Sequence, residues 1–242
     1  MQLYRIYPFG EKDKYFTVFY LGENDFFPDP MNYIYIPEFD PFSINNEGLF
    51  AIGSEIEPLS LIDSYKKGIF PWFPYKKTDK PEWYCPKMRY IINPSKIHIS
   101  HSMRNLINKQ KFKITFNSNF EQVINNCRIV DNRNKSNYAW LSPKIMNTFK
   151  ALHSIGYAKS VEVWEDDKLV GGLYGFFYNN VFQGESMFSL APSASKMALI
   201  ALCNKLKNEG EKIIDCQFKT PFFESMGGEY LDYKEYRKFL DN

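Results

Sequence analysis

The sequence predicts a mixed α+β fold whose second half rests on an antiparallel three-strand meander, and three observations predict it. Three runs rich in apolar, β-branched and aromatic residues (159–164, 169–178 and 181–187) are separated only by Glu165-Asp166-Asp167 and Asn179-Asn180, both hairpin sequences. The meander is bracketed by two stretches with helical apolar spacing. A last short apolar run, 212–217, follows the second helix. Helix, meander, helix, strand is the order of an acetyltransferase-like (GNAT-type) α+β core.

The elements follow in chain order. Alternating aromatic and β-branched residues (Tyr15, Phe16, Val18, Phe19, Tyr20) predict one or two short strands, and Pro28, Pro30, Pro37 and Pro41 then interrupt any regular helix. A short helix is expected from Pro58, through Leu59, Leu61, Ile62 and Tyr65, to the cationic Lys66-Lys67 before Gly68. Gly68-Ile69-Phe70-Pro71-Trp72-Phe73-Pro74 reads as an exposed aromatic loop stiffened by proline. Ser142-Pro143 is a capped helix start, with apolar spacing at Ile145, Met146, Phe149, Leu152 and Ile155 and a stop at Gly156. The second helix runs from Ser193-Ala194-Ser195 through Leu206 to Gly210. A small N-terminal α+β domain over 1–88 and a larger domain over 89–242 are expected, divided where acidic, Pro-rich sequence becomes basic.

Charge marks that division. Residues 1–82 carry 8 basic and 13 acidic side chains, 83–120 carry 7 basic and none acidic, and 121–242 carry 15 of each. Lys96, Arg104, Lys109 and Lys111 belong to the middle segment, as does Arg89. Such a segment is either the footprint of a polyanion or a solvated face whose acids lie elsewhere in space. No apolar run approaches the ~20 residues that span a bilayer. The N-terminus has no secretory pattern. Cys85, Cys127, Cys203 and Cys216 form neither a C-x-x-C pair nor a Cys/His cluster, so free thiols, no metal and a cytoplasmic setting are expected.

Polar clusters interrupt otherwise apolar strands. Gln183-Gly184-Glu185-Ser186 stands in the third run, and Asp215-Cys216-Gln217 ends the last. Period-2 alternation places Asp215 and Gln217 on one strand face, where they can hydrogen-bond adjoining parts of one ligand. The turn after the third run, 189–195, holds a proline and no glycine, which weighs against the backbone pyrophosphate cradle of a CoA-dependent acetyltransferase.

With these residues in view, the chain resembles the leucyl/phenylalanyl-tRNA–protein transferase family. The resemblance is carried by Gly68-Ile69-Phe70-Pro71-Trp72-Phe73, Trp83, Pro86, Arg89, Trp140, Gly171-Gly172, Gly184-Glu185-Ser186-Met187-Phe188-Ser189 and Ile214-Asp215-Cys216-Gln217, in order over residues 27–240. It implies transfer of Leu, Phe or Met from aminoacyl-tRNA to proteins that begin with Arg or Lys, marking them for degradation, by a protein that needs no cofactor and acts as a monomer. It implies Asp215, Gln217 and Glu185 as the catalytic group, with Asp215 polarising Gln217. Trp72 and Trp140 would frame the terminal adenosine. Leu173, Phe182, Met187, Leu199 and Ile214 would line the aminoacyl side-chain pocket, and Arg89, Lys96, Arg104, Lys109 and Lys111 would meet tRNA phosphates. A related aminoacyl-tRNA-dependent transferase of the peptidoglycan-bridge type is the alternative. Phe149, where the family usually carries Tyr, and His101 and Asn105, where relatives tend to be basic, depart from the pattern.

Overall fold

The structure is a computed structural model that describes residues 2–6, 16–20, 48–52, 56–72, 82–134 and 141–242. Backbone packing divides the chain into two compact units, residues 1–88 with 232–237, and residues 89–231 with 238–242. The segment 232–237 is thus grouped with the N-terminal residues.

In the first unit, β1 (Gln2–Ile6) and β2 (Phe16–Tyr20) pair as an antiparallel ribbon, with Tyr4 opposite Val18. β3 (Leu49–Ile52) precedes α1 (Pro58–Lys66), whose Pro58 fills the first turn. Ser60 Oγ accepts the Glu57 N–H at 3.1 Å at the helix entry. The stretch expected as an exposed aromatic loop departs from that expectation. Phe70–Trp72 forms β4, paired antiparallel with β5 (Glu82–Tyr84), in the sheet order β3-β5-β4. Pro71 is tolerated because β4 is an edge strand, where a missing N–H breaks no ladder bond. Ile69 and Phe70 are fully buried, and Trp72 alone of the three strand residues is exposed.

The second unit holds a seven-stranded sheet. In chain order its elements are β6 (Met88–Ile92), α2 (His101–Asn108), β7 (Lys113–Phe116), α3 (Phe120–Asn134), α4 (Pro143–Ser154), β8 (Ala158–Glu165), β9 (Lys168–Tyr178), β10 (Val181–Ser189), α5 (Ala194–Lys207), β11 (Ile213–Asp215), α6 (Pro221–Ser225) and β12 (Glu229–Asp232), before α7 (Tyr233–Asp241). The sheet order is β12-β6-β11-β10-β9-β8-β7. The meander β8-β9-β10 is antiparallel, and β11 joins β10 in parallel through α5. That is the acetyltransferase-like topology expected from the element order. The signals that predicted α4 hold in detail: Ser142 Oγ accepts from Ile145 N at 3.3 Å, and Pro143 occupies the first turn.

Alternation along the strands divides the core into two layers. Val161, Leu173, Phe182, Ile214 and Ile92 face α5, which buries Ala198, Leu199 and Leu202 against them. On the other face Tyr174 receives the ring edges of Phe120 from α3 and Phe149 from α4, at 5.8 and 5.2 Å between centroids. Glu162 is a fully buried carboxylate on this second face. It accepts from Thr115 Oγ1 (2.7 Å), Ser118 N (3.2 Å) and Ser160 Oγ (2.5 Å), so its lone pairs replace lost water with protein donors.

Gly175 is where the α5 layer needs a missing side chain. A Cβ there would lie 2.2 Å from the Gln183 carbonyl oxygen and 2.7 Å from the Phe182 ring, which lies across it. Gly175→Ala is expected to destabilise the unit by about 1–3 kcal/mol through overpacking. A lowered urea midpoint at unchanged m-value is the result sought; an unchanged midpoint would mean the ring has room to move.

Candidate functional site

The site forms where a parallel ladder stops. β10 and β11 pair over only three residues, Val181 with Ile213, Phe182 with Ile214 and Gln183 with Asp215. Just beyond, the register of β10 against β9 shifts between Gly184 and Ser186, which makes Glu185 the extra residue of a bulge. A bulge twists its strand and re-aims the residue it inserts. The polar run 183–186 therefore lies in the middle of β10, at the point where β11 ends and its parallel ladder with β10 stops.

Asp215 is the last residue of β11, and its side chain is fully buried in an ion pair with Arg89 of β6, equally buried. Its second oxygen, Oδ1, accepts the backbone N–H of Gln217 at 2.8 Å. β6 secures the same segment through its backbone, with Cys216 N donating to Tyr90 O at 2.8 Å. Gln217 has φ +64°, a left-handed conformation that costs a non-glycine residue of order 1 kcal/mol and persists only where neighbours enforce it. Its side-chain Nε2 lies 3.4 Å from Glu185 Oε1, so the bulge of β10 and the turn after β11 meet through an amide and a carboxylate.

Two expectations change here. The strand ends at Asp215, so period-2 alternation does not extend to Gln217. The two residues are related by the turn: Asp215 Oδ1 accepts from the Gln217 backbone N–H, while the side-chain amide turns to Glu185. Arg89 is not a phosphate ligand: with no exposed surface and a carboxylate partner it cannot reach tRNA. An isolated arginine in Met88-Arg89-Tyr90-Ile91-Ile92 was the available signal, because a charge within an apolar strand must find a partner.

Cys216 lies between Asp215 and Gln217 but is no nucleophile. Burial pushes its thiol well above the ordinary range, and the Asp215 charge pushes further in the same direction. Burial likewise raises the Cys203 thiol to about 12. All four cysteines are buried and unbridged, and among the described residues no His/Cys/Asp/Glu group has the arrangement to hold a metal.

The five residues expected to line the side-chain pocket come together. Leu173, Phe182, Leu199 and Ile214 belong to the cluster under α5, and half-buried Met187 packs against it. Four of the five have almost no exposed surface, so the side chains themselves fill this space. An open cleft of ≈ 350 Å³ lies elsewhere, between α2, β7 and α5, lined by Leu106, Ile107, Phe112, Met197 and Ile200. Trp72 is exposed at the end of β4, while Trp140 lies outside the described residues. Arg104 and Lys109 are exposed on and just after α2. Lys96 pairs with Glu229 at 3.2 Å and Lys111 with Glu165 at 3.0 Å, so acids from other segments partly neutralise the basic stretch. Phe149 is buried in the second layer, so its missing hydroxyl is a matter of core packing. At the start of α5, where a CoA-binding relative would present backbone donors, Ser195 N donates to Ser189 Oγ at 3.3 Å.

Comparison with known proteins adds the following. The sequence profile of the family described as leucyl/phenylalanyl-tRNA protein transferase matches residues 91–241. A leucyl/phenylalanyl-tRNA–protein transferase of Christiangramia forsetii is 44% identical over 206 residues, covering 84% of this chain and 96% of its own. One of Flavobacterium johnsoniae is 41% identical over 223 residues, covering 92% of this chain and 99% of its own. Among solved structures, FemX aligns at 11% identity over 72% of this chain and 66% of its own, with a TM-score of 0.48.

Proposed function

The chain belongs to the leucyl/phenylalanyl-tRNA–protein transferase family, and from that membership we propose that it moves Leu, Phe or Met from aminoacyl-tRNA to the α-amino group of proteins that begin with Arg or Lys. It is an aminoacyltransferase. The product is an N-terminally extended protein, marked for degradation in the cytoplasm. Among the described residues no helix is long and apolar enough to cross a membrane. Residues 1–88 and 89–242 serve as an N-terminal domain and a catalytic domain in this reading.

The observation that carries the mechanism is the meeting of Gln217 and Glu185 where β10 and β11 part. The neutral α-amine attacks the ester carbonyl of the aminoacyl-tRNA. A C–N bond forms, the C–O bond to the terminal ribose breaks, the amine gives up a proton and the ribose oxygen gains one. An α-amine with a pKa of about 7.7–8.0 keeps roughly a tenth of its population neutral at pH 7, so a modest acceptor suffices. With Nε2 turned to Glu185, the Gln217 carbonyl oxygen accepts from the amine and orients it, and Glu185 takes up its positive charge. An ester-to-amide transfer runs downhill, so the rate comes chiefly from positioning. Half-buried Met187, the one of the five expected pocket residues that keeps exposed surface, is the side chain that meets the aminoacyl group in this reading.

The test is transfer of radiolabelled Leu or Phe from charged tRNA to a peptide beginning with Arg. Incorporation that disappears when the peptide begins with Ala establishes reaction and acceptor rule together. Incorporation into a cell-wall precursor instead would favour the peptidoglycan-bridge alternative.

Arg104, Lys109, Lys96 and Lys111 contact phosphates in this reading. The Lys96 and Lys111 pairs are exposed, so they are weak and can be exchanged for phosphate. Arg104→Ala and Lys109→Ala should each weaken tRNA binding whatever its sequence and reduce the slope of log K against log[salt] by about 1. Filter binding at several salt concentrations reads this, and an unchanged slope removes the residue from the interface.

A further inference from the structure

We infer that Arg89 and Asp215 are positioning residues: the buried ion pair orients the Asp215 carboxylate so that Oδ1 holds the Gln217 backbone in its left-handed turn, which aims the Gln217 amide at the reacting amine. The inference rests on the transferase reading above for the role of Gln217, and on geometry alone for the turn.

Seven described residues other than glycine have φ above zero: Gln110, Asn117, Asp166, Asp167, Asn179, Ser193 and Gln217. Six lie in exposed or half-buried turns. Gln217 is buried, and its amide is occupied on both counts: the N–H by Asp215, the side chain by Glu185. Elsewhere the chain meets positive φ with glycine, as at Gly156, Gly210 and Gly227. Glycine would relieve the turn at 217 but would carry no amide. A strained, buried, non-glycine residue at a strand end therefore calls for a device that enforces its backbone, and Asp215 supplies it.

Asp215 can do so only in one orientation. Arg89 takes Oδ2, which leaves Oδ1 directed along the chain to the N–H two residues on. Both partners are fully buried, so water cannot substitute for either. Arg89 comes from β6, the strand that also holds residue 216 through Tyr90 O. The pair and the ladder thus act on the same three-residue segment from one neighbouring strand. On this account the negative charge of Asp215 balances Arg89, while catalysis needs only the oxygen at Oδ1.

That separates anchor from base experimentally. Asp215→Asn alone keeps an oxygen, but the remaining guanidinium draws it away from Gln217. The double variant Arg89→Met with Asp215→Asn removes the guanidinium and leaves Oδ1 available to the Gln217 N–H. Asp215→Asn is expected to keep under 1% of wild-type kcat for Arg-peptide acceptors. The double variant is expected to recover at least a tenth, with KM for aminoacyl-tRNA within twofold of wild type. A folded double variant that stays under 1% overturns the inference, because the carboxylate charge would then be needed in the reaction itself.

A second measurement does not depend on activity. Amide hydrogen exchange at Gln217 is compared in wild type and Arg89→Lys, which keeps the positive charge but loses the guanidinium nitrogen that meets Oδ2. Exchange at least tenfold faster in Arg89→Lys is expected, and equal protection overturns the anchor even if the double variant fails to fold. If wild type transfers no amino acid, the functional reading fails, while the exchange result still decides the turn.

Discussion

Gln217→Ala is expected to lower kcat for transfer to an Arg-initiated peptide at least 100-fold, with aminoacyl-tRNA affinity within twofold of wild type. A 100-fold loss corresponds to about 2.7 kcal/mol of transition-state stabilisation, within the range of removing one well-placed polar group from a reaction centre. Alanine keeps a Cβ and the same backbone demand, so the fold should be little affected. The mechanism places Gln217 on the attacking amine and away from the tRNA body, so the loss should appear in kcat. Gln217→Gly makes a sharper comparison. Glycine relaxes the φ of +64°, so it should match or exceed wild-type stability while remaining as inactive as alanine. Steady-state kinetics with varied acceptor, together with thermal melts, reads both. A Gln217→Ala variant with wild-type turnover would remove the residue from the mechanism.

Arg89→Met should have the largest effect on stability, about 3–5 kcal/mol. Both members of the pair have no exposed surface, and removing one partner takes from the other's buried charge the ion pair that offsets its desolvation. The methionine also withdraws the group that orients the carboxylate on which the Gln217 turn depends. Denaturant unfolding of wild type and variant measures the loss, and Asp215→Asn added to Arg89→Met should restore a large part of it. A single variant as stable as wild type would mean that water or another cation reaches Asp215 in solution.

The contrast between Asp215 and Lys109 shows why some of the site was legible and some was not. Lys109 is exposed at the end of α2, and an exposed cation in an acid-free stretch can be read from charge alone. Arg89 belongs to the same stretch and counts the same in any tally of charge. Its partner lies 126 positions later, on a strand that reaches it only through the sheet. The stretch from Gly68 fails for a similar reason. Two prolines forbid helix, which is local and correctly excluded, but Phe70–Trp72 becomes a strand because β5 lies beside it. The bulge at Glu185 is also non-local, since a register shift has meaning only against a partner strand.

The sequence by itself determined the elements that obey a local period or cap: the meander, α4 with its Ser142-Pro143 start, α5, and the polar runs 183–186 and 215–217 that carry the family resemblance. Backbone sterics and the burial of one apolar face act over a few residues, so they are written in neighbouring letters. Tertiary structure alone decided which charges are paired, where Gln217 sits in left-handed space, and that four expected pocket residues close into a packed cluster. Those outcomes depend on which groups lose water together, and desolvation is a property of the assembled fold.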